Sequence, residues 1–265
     1  MQPVIVYEDN HIIVVAKRSG EIVQGDKTGD VPLSETVKAY LKEKYQKPGN
    51  VFLGVVHRLD RPVSGLVIFA RTSKALARLN KMFASGEVHK TYWAICLATD
   101  EHGITRNDHK LIRVNPCSPV ADKHDLVRVN PCSSVAENNP VLLTHWLTRN
   151  EQQNKSYAYD HEVPHSKKAQ LRYCVLARGE RYQLLEVELL TGRHHQIRCQ
   201  LAAAGMPIRG DLKYGAKRSN PDGSISLLSR RVQFVHPVSG QEISLEAPLP
   251  DDPLWSALTI RLSDK

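Results

Sequence analysis

Short apolar segments of strand length, punctuated by turn residues, recur along most of this 265-residue chain. Val4–Tyr7 and Ile12–Ala16 flank the turn-prone pair Asp9-Asn10. Val51–Val56, Gly65–Ala70, Val88–Leu97, Gln170–Leu176, Tyr182–Leu189, Ser229–His236 and Glu242–Ala247 have the same length and β-branched or aromatic character. Gly179-Glu180 and Pro237-Val238-Ser239-Gly240 supply hairpin turns. Helical periodicity is rarer. Ser34 is placed to cap a helix carrying Val37, Tyr40, Leu41 and Tyr45, and Thr72 or Ser73 to cap one that ends before Gly86. A third helix is expected to open at Thr191-Gly192-Arg193 and run through Ala204. Pro253 starts a last one with Leu254, Leu258 and Leu262. Strands joined mostly by hairpins, with few helices between, predict an α+β fold with a mixed, largely antiparallel central sheet flanked by helices.

Composition narrows the function. No apolar run reaches the roughly 18–20 residues that span a bilayer, so no membrane partner is expected. The N-terminus has no secretory pattern, and the five cysteines include no CxxC pair. Reduced thiols in a cytoplasmic protein are the expectation. The net charge of +8 points to a polyanion such as nucleic acid. The stretch 106–140 contributes only +1 of it, with five Lys and Arg against four Asp and Glu. Within that stretch Leu111–Ser118 is echoed fifteen residues later by Leu126–Ser133. Two copies are too few for a solenoid. They read as a surface insertion in one domain spanning 1–265, and duplication alone explains the matched Cys117 and Cys132.

Three constellations can carry chemistry. The first is His57-Arg58-Leu59-Asp60-Arg61-Pro62-Val63-Ser64-Gly65, a charged loop between apolar strands. Two arginines beside one carboxylate favour its charged form, suited to a nucleophile, a general base or a metal ligand. A self-contained surface turn is the plainer alternative. The second is Thr191-Gly192-Arg193-His194-His195-Gln196-Ile197-Arg198, with guanidinium forks for phosphate or carboxylate. It lacks metal-ligand spacing, so no metal site is expected. The loop Gly205–Gly215 after it reads as backbone geometry. The third is the strand around Lys90-Thr91-Tyr92-Trp93. There Lys90, Tyr92, Ala94 and Cys96 are expected on one face. Tyr92 suits either stacking on a base or the core.

Together these segments resemble the RluA-type pseudouridine synthases. The first loop is similar to that family's HRLDxxTSG signature, with Val63-Ser64 where Thr-Ser is common. His89–Ala94 is similar to its K-x-Y strand, Leu190–Arg198 to its L-x-TGR-x-HQIR segment, and Gly205–Gly215 to its G-x-PI-x-GD-x-x-YG stretch. The resemblance covers roughly residues 3–250 without the insertion. It implies the pseudouridine synthase catalytic fold, in the single-domain form without an S4-like domain, and a monomer needing no cofactor. The implied reaction converts a uridine of structured rRNA or tRNA to pseudouridine. It makes Asp60 the catalytic nucleophile, Tyr92 the platform for the uracil, and Arg198 the partner of Asp60. Arg58 is placed to fill the space that a flipped nucleotide vacates. His57, Arg61, Lys90, Arg193 and His195 are the other expected RNA contacts. The segment 155–173, rich in Lys and Tyr, reads as a backbone contact or a solvated loop leading into a strand. An inactive RNA-binding module is the competing class, and the joint presence of Asp60, Tyr92 and Arg198 argues against it.

Overall fold

The computed structural model describes residues 2–26, 28–98 and 140–263. The duplicated segment, with Cys117 and Cys132, lies outside the described residues, as does the Leu262 side chain. The strands are β1 (Val4–Glu8), β2 (Ile12–Lys17), β3 (Gly54–Val55), β4 (Ser64–Ala70), β5 (His89–Leu97), β6 (Val141–Asn150), β7 (Lys155–Tyr159), β8 (Lys167–Arg178), β9 (Tyr182–Leu189), β10 (Leu227–Val235) and β11 (Glu242–Glu246). They form one sheet in the order β1-β2-β4-β10-β5-β9-β8-β6-β7, with β11 on β10 and β3 on β4. Only the β4–β10 pair is parallel among these. The sheet is therefore mixed and mostly antiparallel, as the pattern predicts.

Among the described residues four α-helices cover both faces: α1 (Leu33–Lys44), α2 (Ser73–Ser85), α3 (Gln196–Ala203) and α4 (Pro253–Ser263). Period-2 alternation divides the core. Ile13, Val15, Val67, Phe69, Tyr92, Ala94 and Cys96 pack with Val37 and Leu41 of α1 and Ile197 and Leu201 of α3. Ile12, Val14, Leu66, Ile68 and Ile95 pack with Leu79 of α2 and Trp255 and Leu258 of α4. Among the described residues no helix is long and apolar enough to cross a membrane.

Local chemistry explains where elements begin and where expectation and structure part. Thr72 caps α2, accepting from Ala75 N–H at 3.1 Å, and Gly86 closes it in the left-handed conformation. Ser34 does not cap α1. That helix begins at Leu33 behind Pro32, and the Leu33 and Ser34 amides donate to the Ile22 and Val23 carbonyls instead. The expected strand 51–56 shrinks to Gly54–Val55, because only those residues find partners, Ala70 and Phe69. The segment 155–173 is a loop only over residues 160–166. Lys155–Tyr159 forms β7, and β8 starts at Lys167. The third helix starts at Gln196, later than expected, because residues 191–195 make a tight turn closed by the Gln196 side chain. Gln196 Oε1 accepts from Thr191 Oγ1 at 2.8 Å and Arg193 N–H at 2.9 Å, and its Nε2 donates to the Gln170 carbonyl at 3.0 Å.

Candidate active site

The loop bearing Asp60 is held chiefly through its backbone. Leu59 and Val63 sink into the core on either side of it. Between them, Val63 N–H donates to the Asp60 carbonyl at 3.0 Å, which closes a tight turn around Arg61-Pro62. The buried ammonium of Lys17 gathers this turn from below. It donates to the carbonyls of Arg61 at 3.1 Å, Val63 at 2.6 Å and Arg18 at 2.9 Å. Burial drives the Lys17 pKa down to about 8, against the pull of Glu21 and Asp60. At the end of the loop Gly65 has φ +117°, and a Cβ there would stand 2.4 Å from the Ser229 carbonyl oxygen. Only glycine permits this approach of β10.

Above this turn the Asp60 side chain is 33% exposed. Its Oδ2 accepts from Arg198 Nη1 at 2.9 Å. The rest of the guanidinium is spent on Asp211, through Nε at 2.7 Å and Nη2 at 2.9 Å, a bidentate pair. Burial opposes the Arg198 charge, but the Asp211 hydrogen bonds and charge outweigh it and raise the pKa. Arg198 thus stays a fixed cation with one N–H arm presented to Asp60.

Tyr92 is buried on the same face of the sheet, paired across strands with Ser229. Burial pushes its phenol up to about 12; the Ser229 hydroxyl works against this and the Asp60 charge adds to it. The structure therefore brings Asp60, Tyr92 and Arg198 together. It also brings His195, whose Nε2 lies 3.4 Å from Asp60 Oδ2 and whose Nδ1 lies 3.0 Å from Tyr214 Oη. The two adjacent histidines do not sit on a helix, as the sequence suggests. They precede it, and their rings stack at 3.8 Å between centroids.

The other expected RNA contacts have mixed placements. Arg58 is exposed, and among the described residues it has no hydrogen bond or ion pair. Arg61 is exposed but engages Thr28 and Asp30. Arg193 is exposed, with Nε donating to the Lys168 carbonyl at 3.2 Å. His57 is half-buried and stacks on Phe83 at 4.8 Å, while its Nε2 accepts from Ile68 N–H at 3.0 Å. Burial, reinforced by Lys90, lowers its pKa to about 3, so it adds no positive charge. Lys90 leaves the expected face and stands 5.2 Å from the Phe83 ring centre, next to the register shift between Ser229 and Arg231 on β10. Sequence reasoning missed Lys17, Asp211 and Tyr214. The last two lie in the loop read as mere backbone geometry. The Asp after Gly210, in a chain with an unpaired motif arginine, was the available signal.

A one-third-exposed carboxylate, backed by a fixed guanidinium and a buried tyrosine on a mixed sheet, is a constellation able to serve as nucleophile or general base. The comparisons give the family. Residues 11–203 match the family described as RNA pseudouridylate synthase. The chain is 30% identical over 258 residues to the uncharacterized RNA pseudouridine synthase YhcT of Bacillus subtilis, covering 94% of this chain and 69% of that protein. It is 27% identical over 255 residues to ribosomal large subunit pseudouridine synthase C of Vibrio vulnificus, covering 94% of this chain and 66% of that one. Among solved structures, human RNA pseudouridylate synthase domain containing 4 superposes with a TM-score of 0.67 at 18% identity, covering 98% of this chain and 93% of the other. The chain belongs to the RNA pseudouridylate synthase family. It spans about two thirds of the length of the curated relatives it matches.

Proposed function

We propose that this protein isomerises a uridine in structured RNA to pseudouridine, with Asp60 as the nucleophile. The reaction breaks the C1′–N1 bond and forms a C1′–C5 bond; C5 gives up its proton and N1 gains one. The reading rests above all on one observation. Asp60 is the solvent-facing carboxylate of an Arg198 whose remaining arms are occupied by Asp211. Asp60 is thereby left facing solvent, and Arg198 supports its charge without leaving its own site.

The family resemblance gives Tyr92, buried beside Asp60, the role of platform for the uracil. A paired uridine must leave the helix to reach it, and Arg58, exposed and uncommitted, is available to occupy the vacated place. The excess of positive charge outside the 106–140 stretch favours a phosphate backbone, with affinity that falls steeply with salt. Ribosomal RNA is the first substrate to test, because relatives carry that name; tRNA is the second.

The test is incubation with each RNA, followed by carbodiimide treatment and primer extension. The wild type is expected to produce a discrete stop at a uridine. Asp60→Ala is expected to abolish that stop while RNA affinity changes little. Pseudouridine formation by Asp60→Ala would overturn the assignment.

A further inference from the structure

His195 carries a geometry that the reading above leaves unused. It is 8% exposed and sits at the N-terminal boundary of α3 with φ 50°, in a backbone region that non-glycine residues seldom occupy. Such an outlier is tolerated where surrounding contacts hold it. The contacts are specific. Tyr214 Oη accepts a hydrogen bond from Ser156 N–H at 2.8 Å. With its acceptor position used, the phenol proton is directed to the other neighbour, His195 Nδ1, at 3.0 Å. The Tyr214 ring is held in turn, with the Arg198 guanidinium 5.1 Å and the Lys155 ammonium 5.4 Å from its centre. An imidazole that accepts at Nδ1 carries its proton at Nε2. That nitrogen lies 3.4 Å from Asp60 Oδ2, the same oxygen that receives Arg198. Among the described residues Asp60 Oδ1 has no hydrogen-bond partner.

We propose that the chain Ser156 N–H, Tyr214 hydroxyl, His195 fixes His195 as its Nε2–H tautomer, so that His195 and Arg198 together hold Asp60 by Oδ2 and leave Oδ1 as the atom that meets the nucleotide. His195 is a positioning residue acting through Asp60. The 3.4 Å separation is long for a hydrogen bond, and such contacts tighten when substrate closes the site. Burial keeps the ring neutral, which preserves the Nδ1 acceptor that the chain requires. This inference deepens the pseudouridine synthase reading and rests on it for its kinetic consequence, though not for its tautomer.

Two measurements test it. The first needs no activity. In protein labelled with 15N-histidine, the His195 signals are expected to show a protonated Nε2 and an unprotonated Nδ1, and Tyr214→Phe to mix the tautomers. A wild-type ring protonated at Nδ1, or at both nitrogens at neutral pH, overturns the proposal whether or not the RNA reading holds. The second is single-turnover rate against RNA affinity. His195→Ala is expected to slow the chemical step by about 100-fold and Tyr214→Phe by about 10-fold, with little change in RNA affinity. His195→Gln, which returns an N–H near the Nε2 position, is expected to recover most of the rate. Equal losses in His195→Ala and His195→Gln, each with an intact thermal transition, would overturn it. A wild type inactive on every RNA tested, with the Nε2–H tautomer present, would instead count against the RNA reading.

Discussion

Two loops far apart in the sequence each give Arg198 a carboxylate, and the two are treated very differently. The 205–215 loop supplies Asp211, 1% exposed, joined to the guanidinium by two short bonds. The 57–65 loop supplies Asp60, 33% exposed, joined by one. The sealed carboxylate offsets the cost of burying the arginine. The open one is free for chemistry. One guanidinium therefore divides a structural task from a reactive one, and the division is visible as exposure and bond count before any reaction is assigned.

The largest effect is expected from the sealed side. Asp211→Ala leaves a buried guanidinium with only a partly exposed partner. Breaking a buried pair by removing one member costs about 3–5 kcal/mol. Urea unfolding is expected to show that loss. A cost below about 1 kcal/mol would mean that the two carboxylates are equivalent and the comparison false.

Next is the base of the open loop. Gly65→Ala forces a Cβ against the Ser229 backbone, where neither strand can give way, and in a left-handed conformation as well. A loss of about 1–3 kcal/mol is expected from overpacking alone. Activity should fall further than stability, because the displaced segment carries Asp60. Chemical denaturation and single-turnover rates, measured on the same sample, separate the two.

Asp60→Ala should barely register in stability. The pair is partly exposed and Arg198 keeps Asp211, so the change is expected within about 1 kcal/mol. The contrast between Asp60→Ala and Asp211→Ala, one abolishing product at full stability and the other unfolding the site, is the sharpest form of the comparison.

How much of this was legible in the sequence follows the same division. Asp60, Tyr92 and Arg198 stand in compact motifs, while the tight approach of Gly65 to β10 shows only in the fold. The hairpins around Asp9-Asn10 and Pro237–Gly240 declare themselves through turn residues. Asp211 and Tyr214 do not, because their roles exist only once α3 brings Arg198 and His195 to them. Strand β6 escaped for a different reason. Its inward positions are Leu143, His145 and Leu147, and a histidine in the middle spoils the apolar alternation. In the fold that histidine is satisfied by Gln200, whose Nε2 lies 3.1 Å from its Nδ1, a partner 55 residues away. Strand β7 and the start of β8 were hidden by lysines and tyrosines that a solvated loop would carry equally well.

The smallest effect at neutral pH concerns His57, which resembles His195 in pKa but not in task. Each ring is held near 3 by burial, against about 6.5 in an unfolded chain. Above pH 6.5 both states are neutral and neither ring affects stability. As pH falls from about 6.5 toward 3, the unfolded chain binds protons that the folded rings refuse, so stability declines through that window. His57→Gln removes one of these titrations and keeps an acceptor for Ile68 N–H. Thermal unfolding between pH 7 and pH 4 is expected to show a shallower decline in this variant, with rates at pH 7.5 nearly unchanged. His57 lies within a motif yet bonds to β4 and stacks on α2, away from Arg198. A large loss of rate at pH 7.5 would place it with the open carboxylate. An unchanged acid decline would mean that the ring is not held neutral by its burial beside Phe83.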